Sequence, residues 1–236
     1  MTETSKATWT AAIGGGIVGA ALTAAAIVLA GPALFGDRLV RTALVNNPDM
    51  LVDAGEALRA QQASSALSPI RAALEQPFYS SWKGAAEPDV TMTYFYDYAC
   101  GYCRQSNPDI ERLLKEDQGL RVVYRELPIL GPDSVAAARV SLAASKAGKF
   151  AQFHDTLYAA GRPGPDTIAA AARAAGVAAQ PANDPAQEAE LKANMALASQ
   201  LGATGTPLFI IGDQVMNAAV GYQALKEAVE AARKKA

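Results

Sequence analysis

Phe95-Tyr96-Asp97-Tyr98-Ala99-Cys100-Gly101-Tyr102-Cys103-Arg104 holds both cysteines of the chain, separated by two residues. The run Val90 to Tyr98 that leads into them is apolar and aromatic, and predicts a buried strand. Beyond them, Ile110, Leu113 and Leu114 fall on one face of a helix. The two sulfurs are therefore expected where a strand ends and a helix begins. Free backbone N–H groups and the positive end of the helix dipole favour an anion there, and the reactive form of a thiol is its anion. The pattern points to thiol–disulfide exchange. Cys100, at the helix start, is the expected nucleophile with a lowered pKa. Cys103, one turn further in, is the expected resolving thiol.

Two other uses of the cysteines are weaker. A zinc site needs more ligands than this pair and the lone His154, and nothing supplies a second Cys/His pair. A purely structural disulfide would close a very small loop and gain little chain entropy. No metal and no cofactor is expected. Gly101 and Tyr102 place no cation between the sulfurs, which predicts a milder redox poise than that of the strongest oxidants of this kind.

Working outward, Leu120 to Leu127 reads as the next strand, parallel to the first across the intervening helix, which carries an interior Pro108. Ala136–Ala147, Phe150–Ala159, Asp166–Gly176 and Ala186–Leu201 are helical by pattern. Strands Leu208–Ile211 and Gln214–Asn217 follow, joined by the turn Gly212-Asp213, and then a last helix, Tyr222–Arg233. On the other side, Phe78–Trp82 reads as an edge strand and Ser64–Ser68 as a small, polar hinge. The expected fold is a thioredoxin-like α/β domain over residues 77–235, with a helical insertion over about 132–201.

Residues 1–36 hold an uncharged stretch, and its most apolar part, Ala11 to Leu29, is about as long as the ~20 residues that cross a bilayer. Val28-Leu29-Ala30 resembles a signal-peptide cleavage site, but the apolar length exceeds the usual h-region and favours an uncleaved anchor over residues 11–30. Gly14-Gly15-Gly16-Ile17-Val18-Gly19 matches a dinucleotide-binding fingerprint, yet no strand precedes it. Residues 37–65 read as a short helical pair whose apolar stripe is too small to form its own core, so it docks or joins a second copy. A net charge of −2 and a pI near 5.5 give no sign of a nucleic-acid partner. The cysteine chemistry suits an oxidising compartment.

The run from Phe95 to Cys103 resembles the active site of bacterial DsbA-like thiol–disulfide oxidoreductases. Gly202-Ala203-Thr204-Gly205-Thr206-Pro207-Leu208-Phe209 resembles their cis-proline loop. The resemblance covers Pro77 to Ala232. It implies that Pro207 is cis and faces the cysteines, and that the Thr206 backbone pairs with an extended substrate segment. Gly101 and Tyr102 would lie against that segment. The helical pair resembles the ScsC-like branch, where such a region drives oligomerisation. Gly-Tyr between the cysteines, and Thr206 before Pro207, are more typical of isomerase-like relatives.

The implied partners are cysteine-containing protein substrates, a membrane redox partner and further copies of the chain, in the periplasm and tethered to the inner membrane. The alternative is a non-catalytic module that binds extended peptides or Cu(I), an ion that soft thiolates suit. Three further residues stand out. Asp97 is either a charge that raises a nearby thiol pKa or a turn cap. His154 reads as a satisfied packing histidine, and Glu126 as a strand-end charge or a buried proton carrier.

Overall fold

The computed structural model describes residues 37, 40–181 and 183–235. The expected membrane segment, residues 11–30, lies outside them. Among the described residues no helix is long and apolar enough to cross a membrane. The chain divides into two units, residues 1–59 and 60–236. In the first, residues 40–46 are helical, and the Asn47 side-chain amide caps them by donating to the Ala43 carbonyl at 3.1 Å.

Helix α1 (Asp49–Leu67) runs through the stretch read as a hinge. Ser64 and Ser65 are small and polar, but Leu67 is fully buried and fixes the end of the helix in a core. A short helix α2 (Arg71–Glu75) follows, and then strand β1 (Trp82–Gly84). The edge strand thus begins where it was expected to end. Residues 78–80 are held in turns instead. The Ser80 N–H and hydroxyl both reach the Ser145 carbonyl, and Tyr79 has a φ of 49°.

The sheet is formed by β1, β2 (Val90–Tyr96), β3 (Leu120–Glu126), β4 (Leu208–Ile211) and β5 (Gln214–Met216), in the order β1-β3-β2-β4-β5. Strands β2 and β3 are parallel and in register from Val90↔Leu120 to Tyr96↔Glu126, joined by helix α3 (Gly101–Glu116). The other pairings are antiparallel. The helical insertion comprises α4 (Pro132–Lys146), α5 (Phe150–Ala160), α6 (Pro165–Ala175) and α7 (Pro185–Gln200), and α8 (Gly221–Arg233) closes the chain. Pro108 lies inside α3 without ending it.

The period-two alternation of strands sorts the side chains into two cores. Met92, Tyr94 and Tyr96 of β2, with Phe209 and Ile211 of β4, enter the larger, which also takes Ile110 of α3, Phe153 of α5 and Val229 of α8. Phe95, Leu208 and Ile210 enter the smaller, with Leu67, Leu74 and Ala198. Both faces of β2 are covered, so its two threonines alternate with apolar residues only over its first half, and the buried one, Thr93, donates its hydroxyl to the Leu74 carbonyl at 3.0 Å.

Candidate functional site

The site is built where β2 stops. The Asp97 carboxylate accepts the Ala99 N–H at 2.8 Å, and the Asp97 carbonyl accepts the Cys100 N–H at 3.0 Å, so the chain turns sharply into α3. Asp97 is thus a turn cap, the second of the two roles open to it. Cys100 is the N-cap of α3, with extended φ −76° and ψ 118°. Its sulfur takes the place an N-cap oxygen fills, accepting the Cys103 N–H at 3.3 Å.

Cys103 sits one turn further in and is fully buried, whereas Cys100 is 6% exposed. Both are free thiols. The two environments push their pKa values apart. The Cys103 thiol and the N–H groups of the first helical turn draw Cys100 down to about 5, against the opposing cost of burial. Burial, and then the hydrogen bond with Cys100, pushes Cys103 well above the ordinary thiol range.

The second half of the site comes from the loop before β4. The Thr206–Pro207 peptide bond is cis, and the Thr206 carbonyl accepts the Cys100 S–H at 3.2 Å. Cys100, Cys103, Thr206 and Pro207, distant in sequence, are therefore together. Tyr102 projects outward, 67% exposed, and Gly101 has open space where a Cβ would stand.

Behind the cysteines lies a buried aromatic and polar cluster. Tyr94 donates to the Cys103 carbonyl at 3.3 Å. The Tyr96 hydroxyl is within hydrogen-bond distance of both Glu126 and Tyr98, and Tyr98 meets Ser141 at 2.9 Å. Glu126 is buried rather than a strand-end surface charge, and burial raises its pKa to about 8. His154 is packed among Tyr96, Tyr98, Tyr124, Phe150 and Tyr158. It is not satisfied as expected: Nδ1 reaches Asp155 at 3.0 Å, but Nε2 is buried with no partner. Burial holds its pKa below the usual histidine value.

Several contributors were invisible in the sequence. Tyr158 donates its hydroxyl to the Asp97 carbonyl at 3.1 Å, and Arg104 braces the Tyr158 and Gly161 carbonyls from α3. Arg104 directly follows Cys103, which was the only available signal. The cysteines do not lie in the cavity of about 670 Å³ lined by Arg71, Asp89, Arg121, Asp213 and Lys235, which is at the opposite end of β2. Among the described residues no cluster of three or more His, Cys, Asp or Glu side chains is placed to hold a metal ion.

A family model described as the DSBA-like thioredoxin domain matches residues 91–230. The chain belongs to that family. Solved structures agree with the assignment. A thioredoxin-like oxidoreductase from Silicibacter pomeroyi DSS-3 is 38% identical, covering 66% of this chain and 92% of its own, with a TM-score of 0.60. A periplasmic thioredoxin-like protein from Salmonella enterica serovar Typhimurium is 31% identical, covering 70% and 96%, with a TM-score of 0.64. ScsC from Proteus mirabilis in a transitional conformation is 28% identical over 85% of this chain and 94% of its own, with a TM-score of 0.68.

Among curated proteins, a Na(+)/H(+) antiporter NhaA 3 from Salinispora tropica is 35% identical over 79 residues. That match spans 33% of this chain and 12% of the antiporter. The general class of this DsbA-like chain is thiol–disulfide exchange.

Proposed function

We propose that the protein exchanges disulfides with cysteine-containing protein substrates through Cys100 and Cys103. The observation that carries this reading is the Cys100 sulfur itself: an N-cap acceptor for the Cys103 N–H, held beside the Thr206 carbonyl in a DsbA-like domain. In the reducing direction, the Cys100 thiolate attacks one sulfur of a substrate disulfide. The substrate S–S bond breaks, a mixed disulfide forms and one substrate thiolate leaves. Cys103 then gives up its proton and attacks the Cys100 sulfur. The enzyme becomes a disulfide, and the second substrate sulfur departs as a thiol. Oxidation of a substrate dithiol is the same sequence reversed.

Oxidation and isomerisation use the same two thiols and differ in which redox form the enzyme holds. A Cys100 pKa of about 5 lies between the ~7 of thioredoxin and the ~3.5 of DsbA. It keeps the nucleophile ionised at neutral pH although Gly101 and Tyr102 add no cation. We assign Thr206, Pro207, Gly101 and Tyr102 to substrate contact on their position around the nucleophile.

Residues 37–65 are assigned to self-association. Val40, Val45, Met50, Leu51 and Leu58 stand exposed on helical turns, and the chain aligns along most of its length with ScsC. The periplasm is the proposed compartment, with residues 11–30 as its inner-membrane anchor and a membrane redox partner resetting the cysteines. The likeness to a periplasmic protein and the apolar sequence support this.

The deciding experiment is insulin reduction and scrambled-ribonuclease refolding with Cys100→Ser. Both activities are expected to vanish, and undiminished activity would overturn the assignment. A measured potential and a sedimentation mass separate oxidase from oligomeric isomerase.

A further inference from the structure

Helix α5 of the insertion ends beside the cysteines, and two side chains tie it there. Arg104 lies in the first turns of α3, where its N–H donates to the Cys100 carbonyl at 3.1 Å. Its guanidinium reaches across to the end of α5 and donates to the carbonyls of Tyr158 and Gly161. The guanidinium carbon also stands 5.3 Å from the centre of the Tyr158 ring. Tyr158 is buried, and its hydroxyl donates to the Asp97 carbonyl at 3.1 Å. That same oxygen accepts the Cys100 N–H at 3.0 Å. The bonds close a ring that runs from Cys100 to Arg104, Tyr158, Asp97 and back to Cys100.

Each half of the ring has a physical role. The last carbonyls of a helix lack intrahelical donors and carry partial negative charge. The planar fork of Arg104 meets two of them at once, which a lysine ammonium cannot do in the same fixed geometry. The Tyr158 hydroxyl holds the Asp97 carbonyl from a second side, so the peptide that receives the Cys100 N–H keeps its orientation. The Cys103 N–H that caps the Cys100 sulfur belongs to the same helical turn. Donors fixed in advance stabilise an anion better than donors that must reorient.

We propose that Tyr158 and Arg104 are positioning residues through which the helical insertion holds the Cys100 thiolate among its donors, and so sets how oxidising the enzyme disulfide is. The proposal rests on the thiol-exchange reading above and adds a part for the insertion in the chemistry of the pair. Loosening the ring destabilises the thiolate, and with it the reduced form, so the disulfide becomes a weaker oxidant.

The test uses the full chain in equilibrium with reduced and oxidised glutathione, together with ultraviolet titration of the Cys100 thiolate. Tyr158→Phe removes one hydroxyl and keeps the ring. It is expected to raise the thiolate titration by about one pH unit. The glutathione equilibrium shifts about tenfold toward the enzyme disulfide, a potential lower by about 30 mV. Arg104→Met moves both values the same way. Arg104→Lys keeps the charge but not the fork, and stays nearer to Arg104→Met than to the wild type. The double variant Tyr158→Phe with Arg104→Met shifts by less than the product of the two, as for residues acting as one unit.

A merely structural role would lower stability in urea and leave the titration and the potential of the folded protein in place. The proposal is overturned if Tyr158→Phe folds and keeps both wild-type values, if Arg104→Lys matches the wild type, or if the two shifts multiply in full. Should Tyr158→Phe fail to fold, wild-type values in Arg104→Met overturn it equally. A wild type that exchanges no disulfide with glutathione or insulin sinks the thiol-exchange reading itself.

Discussion

The Cys100 sulfur lies 3.2 Å from the Thr206 carbonyl oxygen, although 106 residues separate them. One strand pairing brings this about: β4 lies antiparallel to β2 with Phe95 opposite Leu208, so the residues preceding β4 arrive beside the residues following β2. The nucleophile faces a backbone acceptor as well as helical donors, and its chemistry depends on both.

The first consequence concerns pH. The reduced protein is expected to show a thiolate titrating near pH 5, followed by ultraviolet absorbance, with rapid alkylation at pH 6 that is absent in Cys100→Ser. Because the folded value lies below the unfolded one, the folded state binds fewer protons between about pH 5 and the ordinary thiol range. The stability of the reduced form relative to the oxidised form therefore rises with pH across that window and is lost as pH falls through 5. Urea unfolding of both forms at several pH values measures it, and a flat difference would contradict the site geometry.

Glu126 runs in the opposite sense. Burial raises its folded pKa to about 8, so its contribution is whole below the ordinary carboxylate range and is lost as pH rises through 8. In the oxidised protein, where Cys100 does not titrate, the stability of the wild type relative to Glu126→Gln should fall between pH 5 and 8. The slope should approach about 1.4 kcal/mol per pH unit. The buried His154 is common to both proteins and cancels.

Arg125 makes a third test. It is buried, and its guanidinium donates to the carbonyls of Ala73, Leu74 and Gln76 and to Glu190 and Asn194. Replacing it with Met removes the partner of Glu190 and of the Ala73 and Gln76 carbonyls, while the Leu74 carbonyl keeps the Thr93 hydroxyl, and is expected to cost about 3–5 kcal/mol in urea unfolding. The Cys100 titration should stay in place, since Arg125 joins β3 to α2 and α7 rather than to the cysteines.

Trapping tests the division of labour between the thiols. Cys103→Ala should accumulate mixed disulfides between Cys100 and substrate, seen as thiol-sensitive adducts on non-reducing gels, whereas Cys100→Ser should form none. Adducts in Cys100→Ser would reverse the assigned roles.

The cysteines, the strand before them and the helices of the insertion were legible because each carries its signal within a few neighbouring residues, whereas the cis Thr206–Pro207 bond was expected only through the family resemblance. What escaped depends on distant partners. Phe78 to Ser81 has the composition of a strand, but Ser145 of α4 captures it and leaves only Trp82–Gly84 to pair. The polar stretch around Ser64 looked like a hinge until Leu67 found a core. Asp97 was noticed for its charge near a thiol, yet its role is set by Ile129, Leu130 and Ser134, more than thirty positions away. The single histidine gave no hint that one of its nitrogens would be left without a partner.

The order of the sheet also bears on how the protein is made. Met92 to Phe95 pair on one side with β3, which follows soon after, and on the other with residues 208–211. During synthesis the central strand therefore keeps one bare edge while the whole helical insertion is being added. The thiol pair leaves the ribosome well before the loop that faces it. A newborn chain thus carries reactive sulfur beside an open strand edge, the combination most exposed to wrong partners, and the last two strands complete both at once.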